Sequence, residues 1–276
     1  MSSLWKKVVV SLLVLLAVER FVYFQTEGFQ LAKVISDISY ERNADPRSPG
    51  DEREILKQRF YFLKRGKQSY NFVSEDGKVV LKLFKQDLFP QFAKLISSIV
   101  PPLEEALVKS KLDRERRYFA SAELADKELR AECGIIYAHL NPTEHLKTPL
   151  IFTDKLGITF KLESDDTPFV LQKRGVTLKN HLTTLTNAGK NDEAALAITE
   201  VAKAIKQRCA RGIRNADLHR DHIGDNFGIL EGSAIEIDIG KFVRDVRPKD
   251  ELARAELHDL QAFLEKHFPN INSREL

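Results

Sequence analysis

His219-Arg220-Asp221-His222-Ile223-Gly224-Asp225-Asn226, with Asp238-Ile239-Gly240 shortly after it, is the stretch that decides how this chain folds. Between the two patches, Phe227 to Leu230 and Ala234 to Ile237 are short apolar runs around Glu231-Gly232-Ser233, the signature of a β-hairpin. A hairpin returns the chain to where it started, so Asn226 and Asp238 are expected side by side. Asp221, Asn226 and Asp238 then supply carboxylate and carboxamide oxygens, which accept from a hydroxyl or ligate a hard divalent cation. Taken alone, a His-Arg-Asp triplet in a charged chain reads as a solvated turn. His219, His222 and Asp225 are an alternative metal-ligand set, weakened by close spacing in a loop with no outer partner to orient the imidazoles.

Working outward, Arg59 to Arg65 and Tyr70 to Ser74 are aromatic-rich strands, and the tight turn Glu75-Asp76-Gly77-Lys78 leads into Val79 to Phe84, giving a three-strand antiparallel meander. A lysine in a strand is ordinarily a surface residue with its stem on apolar neighbours. Period-2 geometry puts Lys82 on the face of Val80 and Phe84. After Pro101 and Pro102 the period changes: Phe119, Ala122, Leu129, Cys133, Ile136 and Leu140 recur at helical spacing and predict one long helix stopping near Pro142. Strands follow at Pro149 to Thr153 and Phe169 to Gln172, joined by a polar hairpin arm through Glu163 to Pro168. Gly175 breaks the pattern. Beyond it, Leu178 to Leu185, Glu193 to Cys209 and the stripe Leu252, Leu257, Leu260, Leu264 predict three amphipathic helices.

In that order of elements, His219 to Asn226 resembles the H-R-D-x-x-x-x-N catalytic loop of protein-kinase-like enzymes, Asp238-Ile239-Gly240 their D-F-G motif, and Val79-Val80-Leu81-Lys82 the V-A-I-K of the third strand. The resemblance spans about Arg59 to Lys241 and is specific at those patches. It implies an α+β, two-lobed protein-kinase-like fold with a five-stranded antiparallel N-lobe sheet and a short, mostly helical C-lobe. The expected divisions are a hydrophobic segment at 1–27, a linker with some helix at 28–58, the N-lobe at 59–174 and the compact C-lobe at 175–276. The implied ligands are ATP and Mg2+. Lys82 would hold the phosphates, Asp221 would orient the acceptor hydroxyl, and Asn226 and Asp238 would carry the metal. Gly66 and Ser69, in the loop between the first two strands, would touch phosphate. The backbone at Leu171 to Lys173 would meet adenine, with Gly175 read as a turn glycine or as the hinge between lobes. The helix glutamate that would pair with Lys82 is left open among Glu123, Glu128 and Glu132, with Glu132, beside the inward-facing Leu129 and Cys133, taken first.

Departures from the family pattern are equally informative. The loop Gly66-Lys67-Gln68-Ser69 keeps the first glycine of the glycine-rich loop and neither of the later two, so backbone approach to phosphate is less free. Ile239 replaces phenylalanine, as in lipopolysaccharide-type and antibiotic-type kinases, which the chain resembles more than eukaryotic protein kinases. There is no A-P-E motif, and little chain follows Gly240 to hold a peptide substrate. An ATP-dependent phosphotransferase is the first expectation; a pseudokinase serving as a binding or scaffold module is the second.

Composition narrows the partners. The 276 residues carry 43 Lys and Arg against 40 Asp and Glu, a formal +3, and this balance gives no reason to expect a nucleic-acid partner. Cys133 and Cys209 fall on apolar helical stripes and are expected to be reduced and structural. At the N-terminus, Lys6 and Lys7 precede Val8 to Val18, a wholly apolar run but for Ser11. Trp5 to Phe24 reaches about 30 Å as a helix, with aromatics near both ends and no small-x-small cleavage site after it. A membrane anchor or interfacial helix is the expectation. The cytoplasmic side is favoured for an active kinase; Lys6 and Lys7 favour a cytoplasmic N-terminus and so an extracytoplasmic domain, a bias that Arg20 and Lys33 on the other flank largely offset. The acceptor is left open among a small molecule, a lipid-linked sugar and a protein.

Overall fold

The strands from Arg59 onward form because they are rich in aromatic and aliphatic residues of high β propensity, and the two-residue period of a strand sorts successive side chains onto two faces. In the computed structural model, which describes residues 3–35, 50, 52–86, 101–219 and 221–271, these strands are β1 (Arg59–Arg65), β2 (Ser69–Ser74) and β3 (Val79–Phe84). Phe60, Tyr70, Phe72, Leu81 and Leu83 pack together on one side. The β2–β3 turn is held by Asp76, whose Oδ1 accepts from the Ser74 hydroxyl at 2.6 Å and the Lys78 amide at 3.0 Å, while Gly77 takes a φ of +74°.

The protein is α+β. Before the meander lie α1 (Ser3–Thr26) and α2 (Glu52–Leu56), and after it α3 (Pro101–Glu128), β4 (Ile135–His139), β5 (Pro149–Thr153), β6 (Thr159–Glu163), β7 (Phe169–Lys173) and β8 (Val176–Thr177). The rest comprises α4 (Leu178–Asn187), α5 (Asn191–Ala210), β9 (Ile213–Asn215), α6 (Ile223–Asn226), β10 (Phe227–Leu230), β11 (Ser233–Glu236), β12 (Phe242–Arg244) and α7 (Lys249–His267). One sheet has seven strands in the order β4-β7-β3-β2-β1-β5-β6. It is mixed: β5 runs parallel to β1, and the other pairs are antiparallel.

The expected five-stranded antiparallel sheet is therefore corrected to seven strands. Two added strands, β4 and β6, account for it. The helix expected to run through Cys133 and Leu140 stops at Glu128. The chain then turns at Gly134, with φ at +61°, and the β-branched pair Ile135-Ile136 continues as a strand rather than a helix. Thr159–Glu163, half-buried on alternate residues, pairs with β5 at the far edge of the sheet.

Helices α4, α5 and α7 share a second core around Leu182, Val201, Ile205, Leu260 and Phe263. A third cluster, including Phe119, Leu129, Cys133, Ile239 and Phe242, joins α3 to the chain after Asp238. Cys133 and Cys209 are buried free thiols, and burial raises the pKa of both.

Lys7–Thr26 in α1 is long and apolar enough to cross a membrane, and none of it is buried against the protein. The segment after α1, expected to be a linker, instead packs into the domain. Phe29 and Val34 are core residues at 7% and 1% exposure, and the Phe29 ring lies 4.9 Å from Tyr70 and 5.9 Å from Phe72. The proline-bearing stretch 43–49 lies outside the described residues. A chain beginning at Gly28 is expected to melt like the full domain, whereas one beginning at Gly50 loses the Phe29 ring and about 3 kcal/mol or more of stability. Urea denaturation of the two followed by circular dichroism measures this; equal midpoints would make residues 28–49 dispensable.

Candidate functional site

A cleft of about 960 Å³ lies between the seven-stranded sheet and the helical half of the chain. The β1–β2 loop at Gly66 to Ser69, Lys82 of β3, the crossing at Lys173 to Thr177, and Asp217, His222, Asp225, Asn226 and Asp238 line it. The hairpin places two of these as its pattern requires. With Phe227 opposite Glu236, its open end brings the amides of Ile237 and Asp238 to the Asn226 carbonyl at 2.7 and 3.3 Å. Where the chain crosses from the sheet to the helices, Gly175 packs on Gly228 so closely that a Cβ on Gly175 would lie 3.1 Å from the Gly228 backbone.

Lys82, Asn226 and Asp238 share the cleft. The Lys82 ammonium donates to the Ile237 carbonyl, and burial pushes it down to about 8 against the pull of the Asp238 carboxylate. Asp238 Oδ1 accepts from the Gly240 amide at 3.2 Å, and the Asn215 carboxamide donates to the Asp238 carbonyl at 3.3 Å. Gly66 and Ser69 also line the cleft, the Gly66 amide donating to the Ser69 carbonyl at 2.9 Å and the Ser69 hydroxyl to Asn71 at 2.9 Å. Gln68 reaches across and donates to the Gly240 carbonyl at 3.2 Å.

Three assigned residues are placed elsewhere. Asp221 does not line the cleft; it is half-exposed and accepts from Lys266 of α7 at 2.8 Å. A turn in which the amides of His222 and Ile223 both donate to the His219 carbonyl carries it outward. Arg220 lies outside the described residues. Glu132 sits in the turn after α3 and pairs with Arg211, and among the described residues no carboxylate is within ion-pair distance of Lys82. Leu171 is fully buried within the sheet, opposite Leu81 and Tyr137. Lys173 does line the cleft, and its amide donates to the Gly134 carbonyl at 2.8 Å.

Asp217 is the residue sequence reasoning passed over. It follows the end of β9, and its carboxylate faces the cleft between Lys241, which donates to it, Lys67 at 4.0 Å and His222 at 3.7 Å. Burial works to raise its pKa, but Lys241, Lys67 and His222 outweigh it and hold the carboxyl below its ordinary range. The available signal was an aspartate two residues past the short Ile213–Asn215 strand; its carbonyl accepts from the Asn226 carboxamide at 3.4 Å. His219 and His222 lie close to Asp217 rather than Asp225, their ligand atoms all within 4.8 Å of one another, and Lys241 competes there with any cation.

Behind the cleft is a buried ionic network. Arg208 of α5 donates to Glu236 at 2.7 Å, to the Ile213 carbonyl at 3.0 Å and, through both terminal nitrogens, to Glu256 of α7. Glu236 also accepts from Asn215 at 2.9 Å, and Asn215 Oδ1 accepts from the Asp217 amide at 2.9 Å. The backbone carrying both cleft aspartates is thus tied to Arg208. No family model matches this chain, and no curated protein matches it.

Proposed function

We infer that this chain is an ATP- and Mg2+-dependent phosphotransferase of protein-kinase-like fold, acting near a membrane on a hydroxyl acceptor. The observation that carries this reading is the convergence of Lys82, Asn226 and Asp238, from β3 and the two ends of the β10–β11 hairpin, in one cleft under the β1–β2 loop. The donor set suits the ligands. Asn226 and Asp238 supply hard oxygens for Mg2+, which when bound would offset phosphate charge. Lys82 supplies a fixed cation for the phosphates, and the cleft is at the upper end of volumes that small ligands fill. The acceptor-orienting role moves from Asp221 to Asp217, whose low pKa keeps it an acceptor-only carboxylate.

A second reading, a pseudokinase used as a binding module, is favoured by Gln68. Its side chain occupies the space beside Gly240, where an added Cβ would lie 1.2 Å from Gln68 Oε1, and so bridges the β1–β2 loop to the Asp238 loop across the cleft.

Titrating the protein with Mg2+-ATP in a thermal-shift experiment is expected to raise the melting midpoint in a concentration-dependent way. Phosphate binds the charged ammonium, so affinity should hold below pH 7 and fall as pH rises above about 8, where free Lys82 loses its proton. The drop approaches about tenfold per pH unit at its steepest. A flat titration would remove nucleotide from both readings, and a pH-independent one would remove Lys82 from the phosphate role.

A further inference from the structure

We propose that Lys33, Arg65 and Lys85 form a binding site for the phosphate-bearing headgroup of an anionic membrane lipid, at the point where α1 meets the domain. The proposal rests on α1 entering a membrane and is independent of what the cleft binds.

The three cations converge on one junction. Arg65 ends β1 and holds its guanidinium 5.0 Å from the centre of the Tyr23 ring, donating to the Tyr23 hydroxyl. Its partner in strand register is Tyr70, over whose ring the Lys85 ammonium lies at 4.5 Å. The Tyr70 hydroxyl donates to the Gly28 carbonyl at 2.7 Å, and the Gln86 amide, next to Lys85, donates to the Lys33 carbonyl at 2.8 Å. Among the described residues no acidic side chain pairs with any of the three. Burial first, then the charges of Arg65 and Lys33, push Lys85 down to about 7. Like charges gathered without a counter-charge cost stability in the unliganded protein, and an anion reverses the sign of that interaction.

The position of the cluster selects the anion. Thr26 is the last residue of α1 and Phe29 is already in the core; the Gly28 amide donates to the Tyr23 carbonyl at 3.0 Å and the Phe29 amide to Thr26 at 3.0 Å. With no slack between helix and domain, a membrane-inserted α1 sets the cluster at headgroup level, beside Tyr23, an aromatic of the kind found at that depth. Basic groups where a helix leaves the bilayer recognise anionic headgroups. Lys33 and Lys85 do not line the cleft. Arg65 borders both sites, so a headgroup held here lies next to the β1–β2 loop.

The test uses the full chain in nanodiscs of phosphatidylcholine, with and without roughly one-fifth phosphatidylglycerol, melted by scanning calorimetry near physiological salt. Phosphatidylglycerol is expected to raise the midpoint by about 2–4 °C, as ligand binding to the native state does, and high salt should abolish the rise. The double variant Lys33→Gln, Lys85→Gln should lose the rise, while Lys33→Gln alone should melt no lower than wild type in phosphatidylcholine alone, because it removes repulsion and leaves the Lys85 contacts with the Tyr70 ring and the Gly66 carbonyl in place. Should that variant be unstable, Lys33→Gln by itself is expected to shrink the rise. No rise in wild type, or the same rise in the variants, overturns the site. An equal rise from inorganic phosphate in phosphatidylcholine nanodiscs makes the ligand a free anion and overturns the lipid assignment. A chain that does not enter nanodiscs removes the premise.

Discussion

Arg208→Ala is expected to destabilise the protein by about 3–5 kcal/mol, the cost of breaking a buried pair by removing one partner. Arg208 and Glu236 are 1% and 2% exposed and Glu256 is 6% exposed, so the substitution strands two carboxylates that water cannot reach. Against a typical domain stability of about 5–15 kcal/mol, that approaches unfolding. The triple change Arg208→Met, Glu236→Gln, Glu256→Gln should cost less than Arg208→Ala, because no charge is left unpaired.

The pH response gives an independent check on the same network. Burial already raises the Glu236 pKa despite Arg208, and without the guanidinium it rises further. A raised carboxyl pKa stabilises the folded state below the ordinary glutamate range, and that contribution is lost as pH rises through the folded-state value. The Arg208→Ala variant should therefore be more stable near pH 5 than near pH 8. Urea midpoints at the two values measure it, and a midpoint indifferent to the substitution would show that the network holds nothing together.

Asp217→Ala is expected to lower ATP turnover by about 100- to 10,000-fold while leaving nucleotide affinity nearly unchanged, as loss of a group acting on the acceptor does. Asp221→Ala should leave turnover intact and cost no more than about 1 kcal/mol of stability, since its pair with Lys266 is solvent-exposed. Asp238→Ala should instead weaken Mg2+-ATP binding itself. Slow ATP hydrolysis and a binding titration on each variant separate the three roles. If Asp221→Ala loses activity and Asp217→Ala does not, the H-R-D register is the correct one and the cleft assignment of Asp217 falls. If wild type binds nucleotide but hydrolyses it no faster than the Asp217 variant, the binding-module reading takes over.

Local signals served well wherever the cause was local. The aromatic-rich strands of Arg59 to Phe84, the Asp76-Gly77 turn, the hairpin around Gly232 and the stripes of α5 and α7 all follow from strand propensity, side-chain period and turn chemistry. The hairpin, moreover, implied the neighbourhood of Asn226 and Asp238, because two antiparallel strands must bring their outer ends together.

Other features depend on partners distant along the chain, and there the periodic signal failed or was silent. Ile135-Ile136 continues a helical stripe in the sequence, yet β4 is a strand because Gly134 turns the chain and β7 offers it a backbone to pair with. Phe29 resembles linker because its burial comes from Tyr70, Phe72 and Phe152, which no nearby residue announces. Which aspartate faces the cleft was decided in the same way. The spacing to Asn226 singled out Asp221, but the turn at His219 directs it to Lys266, while Lys241 and Lys67, from other parts of the chain, hold Asp217 inside. Periodicity and turn residues thus settled the order of elements and the closeness of the hairpin ends, since those are short-range consequences of backbone geometry. Strands β4 and β6, the buried Arg208 network and the inward aspartate were settled by packing and charge between distant segments, which no local pattern records.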